Sequence, residues 1–306
     1  MVTPPESRAT PSNRVSLPGA SRLRYWTVRG LVLLVLTLLG CIAVLYALQD
    51  QMIFPGAATQ GSPESRLRPR TGCELLQLAS KSGQRVVALY GPALLPDGRP
   101  HPEPRSCPAL LYFYGNAMCL AYAENEFERF RRLGANVLIP DYLGYGQSGG
   151  KASESGCRET AETALQALLD RGFAAGRIIA CGWSLGGAVA IDLAARQQVG
   201  GLAAFSTFTS AQEMALAIFP LPLPGWLFHH KFDSLAKLPQ VSCPILLGHG
   251  RRDTIVPFGM MQKLARAARG PLRTFVIDAA EHNDFYVVGT PQIDFELGSF
   301  IKSLNR

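Results

Sequence analysis

A serine becomes a nucleophile only when the backbone presents its hydroxyl to a base, and one serine in this chain has the surroundings for that. Ser184 lies in Cys181-Gly182-Trp183-Ser184-Leu185-Gly186-Gly187. The run 177–180 before it is β-branched and apolar and reads as a buried strand. Residues 188–195 after it read as a helix that starts on small residues. Strand, sharp turn and helix form the context that turns Gly-x-Ser-x-Gly into a nucleophile elbow. Gly182 and Gly186 are required because the serine backbone is strained and the helix must approach neighbouring strands with no Cβ in the way. Ser184 then stands at the positive end of the following helix. The same string also occurs as a glycine-rich turn without chemistry, so its partners decide the matter.

An activated serine needs a base within hydrogen-bond reach and an acid that orients the base and stabilises its charged form. Of the five histidines, His101 falls in a proline-rich loop, His229 and His230 in an irregular insert, and His249 at a strand end. His282 alone follows the last strand, in a loop that opens on the same sheet edge as the elbow, and is the expected base. Asp253, in His249-Gly250-Arg251-Arg252-Asp253, is the expected acid. Its other reading is a turn aspartate that caps the helix from Phe258. Asp278 and Asp284 compete, although Asp278 is too close to His282 along the chain for both to reach one point easily. A developing oxyanion needs two backbone N–H donors. These are assigned to Leu185, directly after the nucleophile, and to Asn116 in the turn Tyr114-Gly115-Asn116-Ala117. Trp183 and Tyr145 are assigned to the acyl pocket, with core packing an equal alternative for Trp183.

The elements that must position these groups follow a simple rhythm. Strands expected at 109–114, 136–141, 177–181, 202–205, 244–248 and 273–277 alternate with helices at 123–133, 154–170, 188–195, 258–269 and 293–304. Ahead of them, 74–79 and 85–90 form an antiparallel hairpin across Ser82-Gly83. The alternation implies a mostly parallel sheet with helices on both faces and the site at the carboxyl ends of its strands. Residues 206–242 break the rhythm. Their stretch 219–228 is apolar and punctuated by proline, which fits either a cap over the site or a cover for the sheet edge.

The N-terminal part has a different character. Residues 1–29 form a basic tail whose Pro-, Ser- and Thr-rich portion is expected to be disordered. Residues 30–48 are almost wholly aliphatic and approach the roughly 20 residues that a spanning helix needs. A cleaved signal peptide fits less well: the run exceeds the usual ~7–15 residues, and Leu45 before Ala47 suits no small-residue cleavage site. The arginines ahead of the span set the N-terminus in the cytoplasm and the catalytic body on the far side. Residues 49–69 are expected to be a linker, with 52–55 at the membrane interface, and 70–306 to be the catalytic domain. The net charge is +7, of which the first 30 residues hold +4. The body therefore carries no basic stripe for nucleic acid. The seven cysteines show no C-x-x-C or zinc-like spacing and read as small apolar filler, a disulfide remaining open in an oxidising space.

Gly115-Asn116-Ala117, Asp141-Tyr142-Leu143-Gly144-Tyr145-Gly146-Gln147-Ser148-Gly149, Gly182 to Gly186, Ser206-Thr207-Phe208-Thr209-Ser210, His249 to Asp253 and His282-Asn283-Asp284 together make the chain resemble the α/β-hydrolase superfamily over about residues 70–306. More narrowly it resembles the membrane-anchored serine hydrolases that include depalmitoylases and lysophospholipases. The order Ser, Asp, His is the order of that fold. The resemblance implies an α/β-hydrolase fold with a small cap, a covalent acyl-serine mechanism and no metal or organic cofactor. It also implies an acyl or lipid-like ester or thioester as substrate. A peptidase acting on N-termini, as some similar proteins do, and a silent membrane-tethered binding protein are the alternatives. An intact triad speaks against the last. Two positions depart from the family pattern: Tyr114 stands where relatives have histidine, and Ala279-Ala280-Glu281 lacks the glycine usual before the catalytic histidine.

Overall fold

The computed structural model describes residues 19–219 and 223–304, with nothing said of the side chains of 19–22. The disorder expected within 1–18, and residues 220–222 of the insert, lie outside the described residues. The chain divides into two compact units, residues 1–48 and 49–306.

In the first unit, helix α1 begins at Gly19 and continues to Ile53. Residues 19–29 are thus helical, not part of a disordered tail. Side chains one turn apart meet along it: Thr27 Oγ1 donates to Leu23 O at 3.0 Å, and the Arg29 guanidinium lies 4.8 Å from the Tyr25 ring centre. The helix is long and apolar enough to cross a membrane, and nearly all of its leucines and valines are exposed.

The second unit is built on eight strands: β1 (Glu74–Ala79), β2 (Arg85–Gly91), β3 (Ala109–Phe113), β4 (Asn136–Pro140), β5 (Ile178–Trp183), β6 (Gly201–Phe205), β7 (Ile245–Gly250) and β8 (Leu272–Ile277). They form one sheet in the order β1-β2-β4-β3-β5-β6-β7-β8. β2 is antiparallel to both neighbours, and every pairing from β4 to β8 is parallel. Every residue of β3, β4, β6 and β7 is buried. That is why these strands read as unbroken apolar runs and not as alternations.

The helices between and after the strands are α2 (Glu124–Arg132), α3 (Glu154–Asp170), α4 (Leu185–Arg196), α5 (Ala211–Ile218), α6 (Ser234–Lys237), α7 (Phe258–Ala267), α8 (Phe285–Val288) and α9 (Thr290–Ser303). Side chains start several of them: Ser153 accepts from Gly156 N, Ser210 from Glu213 N and Asp233 from Ala236 N. Within 206–242 the described residues hold α5, a short turn at Gly225–Leu227, and α6. Here Leu216, Ile218, Phe219 and Trp226 are exposed, Trp226 to 77%. All seven cysteines are free thiols, and Cys107, Cys119, Cys157 and Cys181 are buried.

Residues 49–69 do not behave as the expected linker. After the last turn of α1 they form tight turns at Pro55–Thr59 and Pro63–Ser65 that pack on the domain. Phe54 is only 1% exposed and sits beside the rings of His230 and Phe232, at 4.9 and 6.0 Å. Its apolar surface thus leaves water inside the protein. Backbone groups nearby are paired as well, Gly61 N donating to Gly146 O at 2.8 Å.

The helix after the elbow packs on β3 at the limit of backbone contact. A Cβ on Gly186 would lie 1.9 Å from Phe113 O and 2.7 Å from Tyr114 O. Gly186→Ala is therefore expected to lower stability by about 3 kcal/mol or more. Gly259→Ala, on an exposed turn of α7 with open space around it, is expected to be neutral or stabilising by up to about 1 kcal/mol. Urea titration of the two variants beside the wild type checks this; a Gly186→Ala midpoint equal to wild type would refute the close approach.

Candidate active site

β5 ends at Trp183, and the chain turns through Ser184 at φ 56°, ψ −119° to begin α4. This is a left-handed backbone at a residue with a Cβ, and it persists only where the surroundings over-determine it. They do so here. Ser184 N donates to Phe205 O at 2.9 Å, and Thr207 Oγ1 donates to Ser184 O at 2.8 Å. A Cβ on Gly182 would lie 2.0 Å from Gly186 O. The glycines therefore leave room for the turn, and β6 locks it.

Three side chains from three loops meet at this turn. His282 Nε2 lies 3.0 Å from Ser184 Oγ, and His282 Nδ1 lies 2.7 Å from Asp253 Oδ2. Ser184, Asp253 and His282 are 9%, 6% and 5% exposed. A carboxylate only accepts, so Nδ1 carries the proton toward Asp253 and Nε2 is left to accept from the serine hydroxyl. The other carboxylate oxygen, Asp253 Oδ1, accepts from Val256 N at 2.7 Å and Ile255 N at 3.0 Å. Burial pushes the Asp253 carboxyl up. Against it act the His249 ring N–H, the hydrogen bond and charge of His282, and the Val256 N–H, which together hold it at about 2.

His249 is the neighbour that sequence reasoning passed over, having been weighed only as a rival base. It is fully buried, with Nε2 2.9 Å from Val256 O and 3.4 Å from Asp253 Oδ2. Because Val256 O can only accept, Nε2 carries a proton there and points it toward the carboxylate as well. The signal in the sequence was the i, i+4 spacing of His249 and Asp253 at a strand end.

The rival acids have other partners. Asp278 pairs with Arg251, and Asp284 accepts from Glu281 N at 2.7 Å, which fixes the turn that carries His282. Ala280 is the middle of the three residues, Ala279 to Glu281, that precede the histidine without a glycine. It is buried, and its carbonyl accepts from Arg252 N at 3.1 Å, tying the histidine loop to the aspartate loop.

Leu185 is the first residue of α4, where helix geometry leaves N–H groups without intrahelical acceptors. Asn116 lies in the turn after β3, its carbonyl accepting from Gly56 N at 2.9 Å. Tyr114, in place of histidine, donates its hydroxyl to Asp141 Oδ1 at 2.9 Å. The same oxygen accepts from Leu120 N at 2.7 Å, and Oδ2 from Gln147 N at 2.8 Å. Burial, and then the charge of Asp141, push the Tyr114 hydroxyl far up, so it stays protonated and donates. The phenol thereby joins the turn after β3 to the loop after β4.

Trp183 is half-buried. Its ring lies 4.9 Å from that of His282, and a Cβ on Gly115 would come within 2.5 Å of it. It backs the imidazole by packing. Tyr145 needs correction as a pocket residue: its ring is fully enclosed, 5.4 Å from Tyr142 and 6.4 Å from Tyr114. Its bulk went to the core because Gly56 closes over it. Among the described residues, no three His, Cys, Asp or Glu side chains are grouped to hold a metal ion.

Sheet, elbow and converging side chains together define a hydrolase class, and comparison with known proteins agrees. A family described as the alpha/beta hydrolase fold matches residues 108–241. Protein bem46 of Schizosaccharomyces pombe is 32% identical over 241 residues, covering 74% of this chain and 77% of its own length. Alpha/beta hydrolase domain-containing protein 17B of Xenopus laevis is 30% identical over 228 residues, covering 72% of this chain and 73% of its own. An esterase of Pyrococcus furiosus superposes with a TM-score of 0.61 over 76% of this chain and 90% of its own, at 20% identity, a likeness of fold. The chain belongs to the α/β-hydrolase family.

The depressed Asp253 carboxyl links stability to acid. A folded value of about 2 against an unfolded value near 3.9 makes a contribution on the order of 2 kcal/mol. It is present in full above about pH 5 and lost as pH falls toward 2. Asp253→Asn is expected to be less stable than wild type at pH 7 by about that amount, with the gap narrowing at pH 3. Urea unfolding at both pH values reads this out, and a gap that widened on acidification would contradict the assignment.

Proposed function

We propose that this hydrolase cleaves carboxylic ester or thioester bonds of acyl, lipid-like substrates through an acyl-serine intermediate. The observation that carries the proposal is the continuous relay from Ser184 Oγ through His282 to Asp253, at 3.0 and 2.7 Å. In this reading His282 Nε2 takes the hydroxyl proton as Ser184 Oγ attacks the carbonyl carbon. The oxyanion is met by the peptide N–H groups of Leu185 and Asn116. Collapse breaks the bond to the leaving alcohol or thiol, which takes the proton back from His282. Water, deprotonated by the same imidazole, then attacks the acyl-serine and releases the carboxylic acid and free Ser184. Asp253 keeps Nδ1 protonated toward itself and stabilises the imidazolium in both halves. No step calls for a metal or organic cofactor.

The exposed apolar side chains of the cap, Leu216, Ile218, Phe219 and Trp226, support an acyl substrate. Helix α1 supports a single-pass membrane attachment, in which the arginines at 22, 24 and 29 set the N-terminus in the cytoplasm and the catalytic domain opposite. In this reading residues 70–306 hold the triad and both oxyanion donors. Trp183 serves as a wall behind His282.

Full-length protein in detergent micelles is expected to react with a fluorophosphonate probe and to hydrolyse p-nitrophenyl esters, preferring medium or long acyl chains to acetate. Ser184→Ala and His282→Ala are each expected to lose at least about 10³-fold in kcat, and Asp253→Asn about 10²- to 10⁴-fold. Probe labelling that survives Ser184→Ala would sink the mechanism. A preference for aminoacyl amides over esters would move the substrate class to peptides.

A further inference from the structure

We propose that residues 49–60, the stretch that leads from α1 into the domain, are a working part of the active site. They hold the oxyanion turn at Asn116 with one side and the cap with the other. The proposal rests on the reading of Asn116 as an oxyanion donor.

On the first side, Asn116 is gripped at both its backbone and its side chain. Gly56 N donates to Asn116 O at 2.9 Å, and Asn116 Nδ2 donates to Ile53 O at 3.4 Å. The fit leaves no slack. Gly56 is buried, and a Cβ there would lie 2.4 Å from Asn116 O and 2.2 Å from Tyr145 Cε1. At its far end the same turn is held by Asp141 through Leu120 N. The residue whose N–H must aim at a developing charge is therefore oriented from outside its own loop, by a segment more than 50 positions earlier in the chain.

On the second side, the segment holds the described end of the cap. Gln49 Nε2 donates to Leu227 O at 2.6 Å, and Gln49 Oε1 accepts from His229 N at 3.0 Å. Asp50 Oδ1 lies 3.0 Å from His230 Nε2, and the Phe54 ring packs on His230 and Phe232. A flexible linker would satisfy none of these groups. An oxyanion donor contributes to rate only if it is already aimed when charge develops, and misplacing it lowers kcat more than substrate binding.

The test uses the full chain in detergent with a p-nitrophenyl ester and an alkyl boronic acid, which forms a tetrahedral adduct on an activated serine. Gly56→Ala is expected to lower kcat at least about 10-fold with KM within about threefold, and to weaken boronate binding by a similar factor, since loss of one whole donor costs ~10²–10³. Hydrogen exchange of residues 114–120 is expected to quicken in step. Glu64→Gln, at an exposed position just past the segment, is expected to match wild type. Should Gly56→Ala not fold, Phe54→Leu, which keeps an apolar core residue, decides by the same readouts.

Wild-type kcat and boronate affinity in a folded variant, with only the melting temperature lowered, would overturn the role and leave the segment structural. If the wild type hydrolyses esters through Ser184 while Gly56→Ala equals it in kcat, the segment's role falls alone. If the wild type hydrolyses nothing and binds no boronate, the oxyanion reading and this inference fall together.

Discussion

The rest of the site depends on one backbone conformation, the left-handed turn at Ser184. With φ at 56° the residue is strained, and the strain is held by bonds to β6 on one side and by close approach of α4 to β3 on the other. Two consequences follow from the same geometry. The hydroxyl stands clear of the sheet at the head of a helix, and the N–H of Leu185 is left at the helix terminus without an intrahelical acceptor. Any side chain at Gly186 would push α4 away and relax both. Packing density and chemistry are here a single constraint.

A second theme is how buried charge is kept tolerable. Asp253 is shielded from solvent, which by itself favours the neutral acid. Two backbone N–H groups, the His282 ring and the buried His249 ring face it and reverse that preference. Asp141 is the opposite case. It is also buried and also accepts three hydrogen bonds, yet burial prevails and its carboxyl is raised. The difference lies in the partners: two ring N–H donors, with the charge of His282 added, at Asp253, and a neutral phenol with two amides at Asp141. The tyrosine at 114 thus joins the turn after β3 to the loop after β4 by a hydrogen bond that needs no charge.

The segment after α1 connects these parts. Phe54 is built into the domain by core contact, Gly56 by backbone pairing with the turn after β3, and Gln60 by its side chain, which donates to Ser148 O in the loop after β4. The insert at 206–242 carries Leu216, Ile218, Phe219 and Trp226 outward, and its described C-terminal part is bonded to Gln49 and Asp50. The insert, the turn after β3 and the chain leading in from the apolar helix therefore share one small set of contacts.

Much of this was legible in the amino-acid sequence because local physics dictates it. Alternating apolar runs and amphipathic stretches located all eight strands to within two residues, since buried parallel strands tolerate almost nothing but apolar side chains. Glycines at 182 and 186 marked the elbow because no other residue fits a turn that tight. Ser184, Asp253 and His282 stood out because each follows a different strand on one sheet edge, and the structure brings all three together. Other features could only be decided in three dimensions. Tyr145 and Phe54 went to the core, His249 came to face a carboxylate, and residues 49–60 became part of the domain, all through contacts between positions distant in the chain. Composition reports that a residue is apolar or titratable. Only the tertiary structure, by deciding which neighbours displace water from it, determines whether it covers a membrane, fills a core or holds a catalytic group in place.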